Sequence, residues 1–92
     1  MEIKFDTVKN EKNIQERNLN FERVAEFDFE TAQFDIDNRH DYGETRYRAM
    51  GFLDKRLYSL VFVEIVGGIR VISFRKANKR EVKRYENQSR ID

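Results

Sequence analysis

The feature that most constrains this fold is a set of three predicted strands separated by only two residues each. They are residues 45–53, 56–66 and 69–76, joined by Asp54-Lys55 and by Gly67-Gly68. A two-residue connection joins antiparallel neighbours, whereas parallel strands need a crossover of a dozen residues or more. Glycine also permits the positive backbone angles of such turns. The pattern therefore predicts an antiparallel meander.

The rest of the chain predicts further strands and helices packed on this sheet. Residues 31–36 alternate as a strand does, and residues 3–5 form a short strand candidate. Asp6 or Thr7 caps a helix over residues 8–17, and Asn20 caps a second one over residues 21–27. Asn78 and Glu81 have capping-box spacing at the start of a closing helix, residues 78–88. We therefore predict one α+β domain over residues 1–92, with an antiparallel sheet of four to five strands, two N-terminal helices and a C-terminal helix.

The absence of cysteine and the hydropathy pattern indicate in which cellular compartment the protein acts. The chain has no cysteine, which excludes disulfides and thiolate metal sites and favours a reducing, cytoplasmic location. The longest apolar stretch, residues 57–69, contains Ser59 and Glu64 and falls short of a membrane span. Residues 1–4 do not begin a signal peptide. We expect no membrane role.

Charge is unevenly distributed along the chain. The net charge is +1, but residues 69–92 carry eight basic and three acidic side chains, or +5, which leaves −4 for residues 1–68. A basic quarter on an acidic domain is typical of a localised polyanion site. A solvated helix face with ordinary charge pairing explains the same pattern equally well.

The segment 37–46 holds the only histidine together with carboxylates and arginines. His40 exchanges protons near neutral pH, Glu44 serves as a base or orients it, and Arg46 holds an anion. On these residues alone, a solvated polar loop is the favoured alternative. A calcium loop is excluded, because glycine and glutamate are missing where its sixth and twelfth positions fall. A looser cation site of Asp37, His40, Asp41 and Glu44 is a weak candidate, and we predict no cofactor or metal.

The strand and helix at the C-terminus predict phosphate binding. Arg75 and Lys76 directly precede the helix start, where exposed amides favour anions, and Arg80 and Arg84 share one helix face. Arg70 and Arg75 are an odd number of residues apart, so they point to opposite faces unless the strand bends. The alternative is a surface helix charged for solubility. No glycine-rich phosphate loop, nucleophile elbow or zinc-ligand spacing is present.

Several fragments together resemble the BrnT family of ribonuclease toxins. They are residues 5–13 (FDTVKNEKN), Phe21-Glu22 with Ala25, the His40, Glu44 and Arg46 pattern followed by Gly51, residues 69–77 (IRVISFRKA), Lys79-Arg80-Glu81, and Tyr85. Their order and spacing over about 80 residues carry the resemblance. Two positions depart from it. Arg17-Asn18-Leu19 stands where the family usually has Lys-His-Gly, which leaves His40 as the only imidazole, and Phe74 replaces a small residue beside Arg75.

The resemblance implies a RelE-like fold, metal-independent RNA cleavage, and inhibition by a BrnA-type antitoxin. It also implies that the toxin contacts operator DNA only indirectly, through this antitoxin. We predict that His40, Glu44, Arg46 and Arg75 converge as catalytic residues, and that Lys76, Arg80 and Arg84 form an RNA track. The ribose 2′-hydroxyl attacks the adjacent phosphate, with Glu44 or His40 taking the proton. A non-catalytic nucleic-acid-binding module and a protein-interaction module are the alternatives.

Overall fold

The computed structural model describes residues 1–89, which form one five-stranded sheet with helical segments on both faces. The elements are β1 (Glu2–Phe5), α1 (Thr7–Arg17), a 3₁₀ helix (Phe21–Glu26), β2 (Gln33–Ile36), β3 (Tyr47–Leu53), β4 (Arg56–Ile65), β5 (Gly68–Lys76) and α2 (Lys79–Ser89). The strand order is β1-β5-β4-β3-β2. In this part of the chain, no helix has the length and apolar character needed to cross a membrane.

Strands β2 to β5 form the antiparallel meander predicted from the turns. β2 pairs with β3, β3 with β4, and β4 with β5, all antiparallel, which confirms the prediction for residues 31–76. β1 differs, because it lies parallel to β5 along residues 68–71. The sheet is therefore mixed, and the prediction of a wholly antiparallel sheet is wrong at this edge. The physical reason is that β1 and β5 are distant in the chain, so no tight turn dictates their direction.

The second N-terminal helix is a 3₁₀ helix of six residues. Phe21, Val24 and Phe27 are all buried, and their spacing of three residues matches the three residues per turn of a 3₁₀ helix. Asn20 caps it as predicted, since its side chain accepts a hydrogen bond from the backbone N–H of Glu22. Burial of these three side chains in the core therefore favours the 3₁₀ helix over a regular α-helix.

The β4–β5 turn is shifted by one residue from its predicted place. Ile65 pairs with Gly68, so the two turn residues are Val66 and Gly67, and Gly67 has a φ of 81°. Gly68 lies inside the sheet instead. A Cβ atom there would overlap the backbone of Glu2 on β1. Gly67 thus serves the turn, whereas Gly68 lets the parallel edge strand approach β5.

The two faces of the sheet are covered by different elements. The inner face holds the core, where Leu60, Phe62, Val71 and Phe74 pack against the 3₁₀ segment. The outer face is covered at one end by α2, where the Tyr85 ring meets Phe52 edge-on at 5.4 Å. The predicted capping box is confirmed, because Asn78 and Glu81 exchange side-chain to backbone hydrogen bonds of 2.9 Å. Elsewhere the outer face carries the charged side chains of Arg48, Arg70 and Arg75 beside the buried Val61 and Val63.

Candidate RNA-binding and catalytic site

A β-bulge brings Arg70 and Arg75 to the same face of the sheet. The pairing of β4 with β5 skips Ile72, so Arg70 lies opposite Val63 and Arg75 opposite Ser59. Directly paired residues share a face, and Ser59 and Val63 are an even number of residues apart on β4. The extra residue at Ile72 therefore reverses the alternation between the two arginines. The opposite-face restriction from their odd spacing does not hold, because the strand is bulged.

The outer face carries a strip of arginines, which we call the outer basic face. It is formed by Arg48, Arg70 and Arg75 of the sheet and by Arg46, which directly precedes β3, with Arg84 of α2 at its flank. Arg48 pairs with Val61 and so lies between the rows of Arg70 and Arg75. Its guanidinium is held by Asp35 at 2.8 Å. Arg84 lines a small cavity of about 90 Å³ with Arg48 and Glu81.

Glu44 joins two of these arginines at one end of the strip. Its carboxylate accepts a hydrogen bond of 2.7 Å from Nη2 of Arg70 and one of 3.2 Å from Nε of Arg46. The Arg70 hydrogen bond, with a smaller contribution from Arg46, lowers the pKa of Glu44 below its usual range. Glu44 is consequently ionised at neutral pH, and it fixes the directions of both guanidinium groups.

Tyr42 connects His40 to the same group. The guanidinium carbon of Arg46 lies 4.0 Å from the centroid of the Tyr42 ring, a cation–π contact. The His40 ring is nearly perpendicular to the Tyr42 ring, and the two ring centroids are 5.7 Å apart. His40 is exposed. His40, Tyr42, Arg46, Glu44 and Arg70 thus form a continuous series, which we call the His40 cluster.

Arg75 lies on the same face without contacting this cluster. Its guanidinium is held by both carboxylate oxygens of Glu81, at 2.9 and 3.0 Å. Ser59 and Val63, which lie opposite Arg75 and Arg70, are four residues apart, a separation of roughly 13 Å along a strand. Of the four residues predicted to be catalytic, Glu44 and Arg46 touch, His40 follows through Tyr42, and Arg75 stands apart.

The three residues predicted as an RNA track are divided between two faces. Lys76 pairs with Tyr58, a core residue, so its side chain belongs to the inner-face side of β5. Arg84 flanks the outer basic face, and Arg80 is exposed one helical turn before it. The structure therefore does not bring Lys76 onto the surface that Arg80 and Arg84 border.

The loop that carries His40 is anchored by Asp37. This side chain is 1% exposed and accepts hydrogen bonds of 2.8 Å from Nε and Nη2 of Arg39. These bonds hold the pKa of Asp37 well below its usual range, despite the opposing effect of burial. Within residues 1–89 no three histidine or acidic side chains are grouped to hold a metal ion. The weak cation site of Asp37, His40, Asp41 and Glu44 is thus not assembled there.

Asp37→Asn should make folding less stable at pH 7 by about 1 to 3 kcal/mol, since the substitution weakens a charged hydrogen-bonded pair. The folded-state pKa lies below the unfolded value of about 3.9, so the contribution is present above that pH and is lost as pH falls. The stability gap between wild type and Asp37→Asn should therefore shrink from pH 7 to pH 3. Urea unfolding at both pH values measures it, with Asp41→Asn in the same loop as control. An unchanged gap at pH 3 would contradict the assignment.

Sequence reasoning missed Tyr42 and Arg48 and set Arg70 apart from the site. Tyr42 was within the segment singled out for its histidine, but a ring four residues before an arginine carries no specific signal. The odd spacing between Arg70 and Arg75 predicts that they lie on opposite faces, so the sequence does not place Arg70 in the site. No local signal marks Ile72 as the bulged residue, since its segment reads as a regular strand.

Comparison with known protein families finds a match over most of the chain. The family model described as "Ribonuclease toxin, BrnT, of type II toxin-antitoxin system" matches residues 5–81, which run from the last residue of β1 to the first turn of α2. The whole His40 cluster lies inside the matched region. Searches of curated proteins and of solved structures found no match.

Proposed function

The chain belongs to the BrnT family of ribonuclease toxins of type II toxin-antitoxin systems, and on that premise we propose that it cleaves RNA at the His40 cluster without a metal ion. The observation that carries the proposal is the placement of an imidazole, an ionised carboxylate and two arginines in one series, where the loop before β3 meets Arg70 of β5. Proton transfer needs the first two groups, and stabilisation of a charged phosphate needs the arginines. A module that only binds nucleic acid would need the charge alone.

The proposed reaction is attack of the ribose 2′-hydroxyl oxygen on the adjacent phosphorus. The bond from phosphorus to the 5′-oxygen breaks, which leaves a 2′,3′-cyclic phosphate and a free 5′-hydroxyl. Glu44, which Arg70 and Arg46 keep ionised, accepts the hydroxyl proton, and protonated His40 donates one to the leaving oxygen. Arg46 and Arg70 stabilise the charge that builds on the phosphate oxygens.

The remaining arginines of the outer basic face hold the RNA on either side of the cleaved bond. Arg75 lies roughly 13 Å from the row of Arg70, so it contacts a different phosphate from the scissile one. The RNA-binding surface is extended toward β2 by Arg48 and toward α2 by Arg80 and Arg84. Lys76 contacts the RNA from the edge of β5. Arg75 is therefore proposed as an RNA-binding residue next to the reaction centre.

Family membership implies an antitoxin protein as partner. We propose that this partner is a BrnA-type protein with a ribbon-helix-helix DNA-binding part, and that operator DNA is met only through it. The RelE-like fold and cytoplasmic action belong to the same proposal. They follow from the family resemblance and not from the geometry of the site.

Purified protein should cleave single-stranded RNA in excess EDTA, because arginines in place of a metal ion balance the phosphate charge. Gel analysis of an end-labelled oligonucleotide measures cleavage, and the products should carry 2′,3′-cyclic phosphate ends. A 2′-O-methyl oligonucleotide of the same sequence is the control and should stay intact. Cleavage that requires added divalent cations would reject the proposed mechanism, and binding without cleavage would favour the non-catalytic module.

A further inference from the structure

We propose that a second phosphate-binding pocket, separate from the His40 cluster, lies at the open edge of β5 and holds an RNA phosphate further along the strand. This inference rests on the proposed function. The pocket is a cavity of about 500 Å³ whose cationic wall is formed by Arg17, Arg23, Arg75 and Lys76. Tyr58 and Leu19 form its apolar wall. Among residues 1–89 its lining includes no aspartate or glutamate, but carboxylates outside the lining contact Arg23 and Arg75.

The pocket exists because β1 is too short to cover the edge of β5. β1 pairs only with residues 68–71, so the edge beyond Val71 has no strand beside it. α1 packs against this edge through Asn13, whose buried side-chain amide donates hydrogen bonds of 3.0 Å to the carbonyl oxygens of Phe74 and Leu19. The last residue of α1, Arg17, is thereby brought to the end of β5.

A residue in the left-handed helical conformation then turns the chain back toward the end of β5. Asn18 has a φ of 53° and its N–H bonds to the carbonyl of Ile14, which ends α1. Leu19 then enters the core, and Arg23 follows within the first turn of the 3₁₀ helix. Arg17 and Arg23 therefore come from different elements and meet the cations of β5 at one opening.

The cations of this pocket are partly exposed, although three of them also have partners within the protein. Arg23 contacts Glu26 and Asp54 at 3.1 Å, and Arg17 donates a hydrogen bond of 2.9 Å to the side-chain oxygen of Asn13. Arg75 is held by Glu81, so a phosphate has to share these guanidinium groups with carboxylates or displace them. The side chains of Arg17, Arg23 and Arg75 are 47%, 39% and 36% exposed, and Lys76 is exposed. Guanidinium groups match the oxygens of a phosphate and often bind it through two parallel hydrogen bonds. Four cations from α1, the 3₁₀ helix and β5 therefore surround one cavity and give it a positive potential.

Arg75 connects the pocket to the outer basic face. Its guanidinium is held by Glu81 on the outer side, and the same residue lines the pocket at the β5 edge. Lys76, whose side chain belongs to the inner-face side, lies next to it. An RNA strand that passes Arg75 on leaving the outer face reaches this pocket next. An RNA strand that bends round the edge of the sheet would contact both faces. This explains why the residues of the predicted RNA track are divided between the two faces.

The test measures binding without cleavage. The probe is a fluorescein-labelled 2′-O-methyl RNA oligonucleotide, in which the attacking hydroxyl is blocked. Arg17→Gln and Arg23→Gln should each weaken its binding by about five- to tenfold. Each should also reduce the slope of log affinity against log salt by about 0.7, the value for one lost contact to a single strand. Fluorescence anisotropy at several salt concentrations gives both quantities.

Lys12→Gln is the matched control, because it makes the same change of charge on α1 at an exposed site outside the pocket. Thermal unfolding shows whether each variant folds, and two independent variants guard against one that does not. Wild-type affinity and salt slope in both pocket variants would overturn the proposal, as would failure of the wild type to bind the probe. Normal RNA binding with lost antitoxin binding would also overturn it and assign the pocket to the partner. If the wild type binds the probe but cleaves no RNA, and the variants bind weakly, the pocket stands and the proposed cleavage falls.

Discussion

His40→Ala should lower the rate of RNA cleavage by about 10²- to 10⁴-fold, the usual contribution of a general acid or base. The effect should fall on kcat, because the imidazole donates its proton only as the 5′-oxygen leaves. Folding should be unchanged, since His40 is exposed and its ring has a T-shaped contact with Tyr42 of the same loop at a centroid distance of 5.7 Å. Single-turnover cleavage of an oligonucleotide with enzyme in excess measures the chemical step.

The matched control for this substitution is Asn38→Ala, at an exposed position of the same loop. The control should cleave at the wild-type rate, and both variants should bind the antitoxin normally. Equal rates for His40→Ala and its control would show that the imidazole takes no part in the reaction.

Arg70→Gln should lower kcat by about 10²- to 10³-fold, the typical cost of removing one preorganised donor that stabilises transition-state charge. Arg70 has a second task, because its guanidinium hydrogen bond to Glu44 at 2.7 Å directs that carboxylate. Without it Glu44 retains only the longer bond from Arg46, at 3.2 Å. Both effects act on the reaction more than on RNA affinity, so KM should change much less than kcat.

Arg56→Gln is the control for Arg70→Gln. It removes the same charge at an exposed position at the opposite end of β4 from Val63, the cross-strand partner of Arg70. A control variant with wild-type kcat would show that the loss is local. If Arg70→Gln raised KM and weakened the salt dependence while kcat stayed normal, Arg70 would be a phosphate holder only. That result would contradict its proposed part in stabilising charge.

The local elements of this protein are predictable because their signals are local. Two-residue turns dictate antiparallel neighbours, and the reciprocal bonds of Asn78 and Glu81 cap α2 within four residues of chain. Asn20 caps the 3₁₀ helix by the same short-range chemistry. Segment 37–46 stood out by composition alone, and it does supply His40, Glu44 and Arg46 to the cluster.

The parallel placement of β1 and the 3₁₀ form of residues 21–26 depend instead on distant partners. A four-residue strand carries no mark of the neighbour with which it pairs, and β1 meets β5 more than 60 residues later in the chain. Phe21 and Val24 fit either kind of helix until the sheet that buries them is known. Gly68 illustrates the same limit, since its close neighbour is the backbone of Glu2.

The sequence by itself determined the meander, the caps and the chemical groups available for catalysis, because each depends on residues close together in the chain. Tertiary structure decided which groups meet. Glu44 and Arg70 are 26 residues apart, and the bulge at Ile72 places Arg70 and Arg75 on one face despite their odd spacing. The physical reason is that the face of a strand residue follows from cross-strand register, and one extra residue reverses every later assignment.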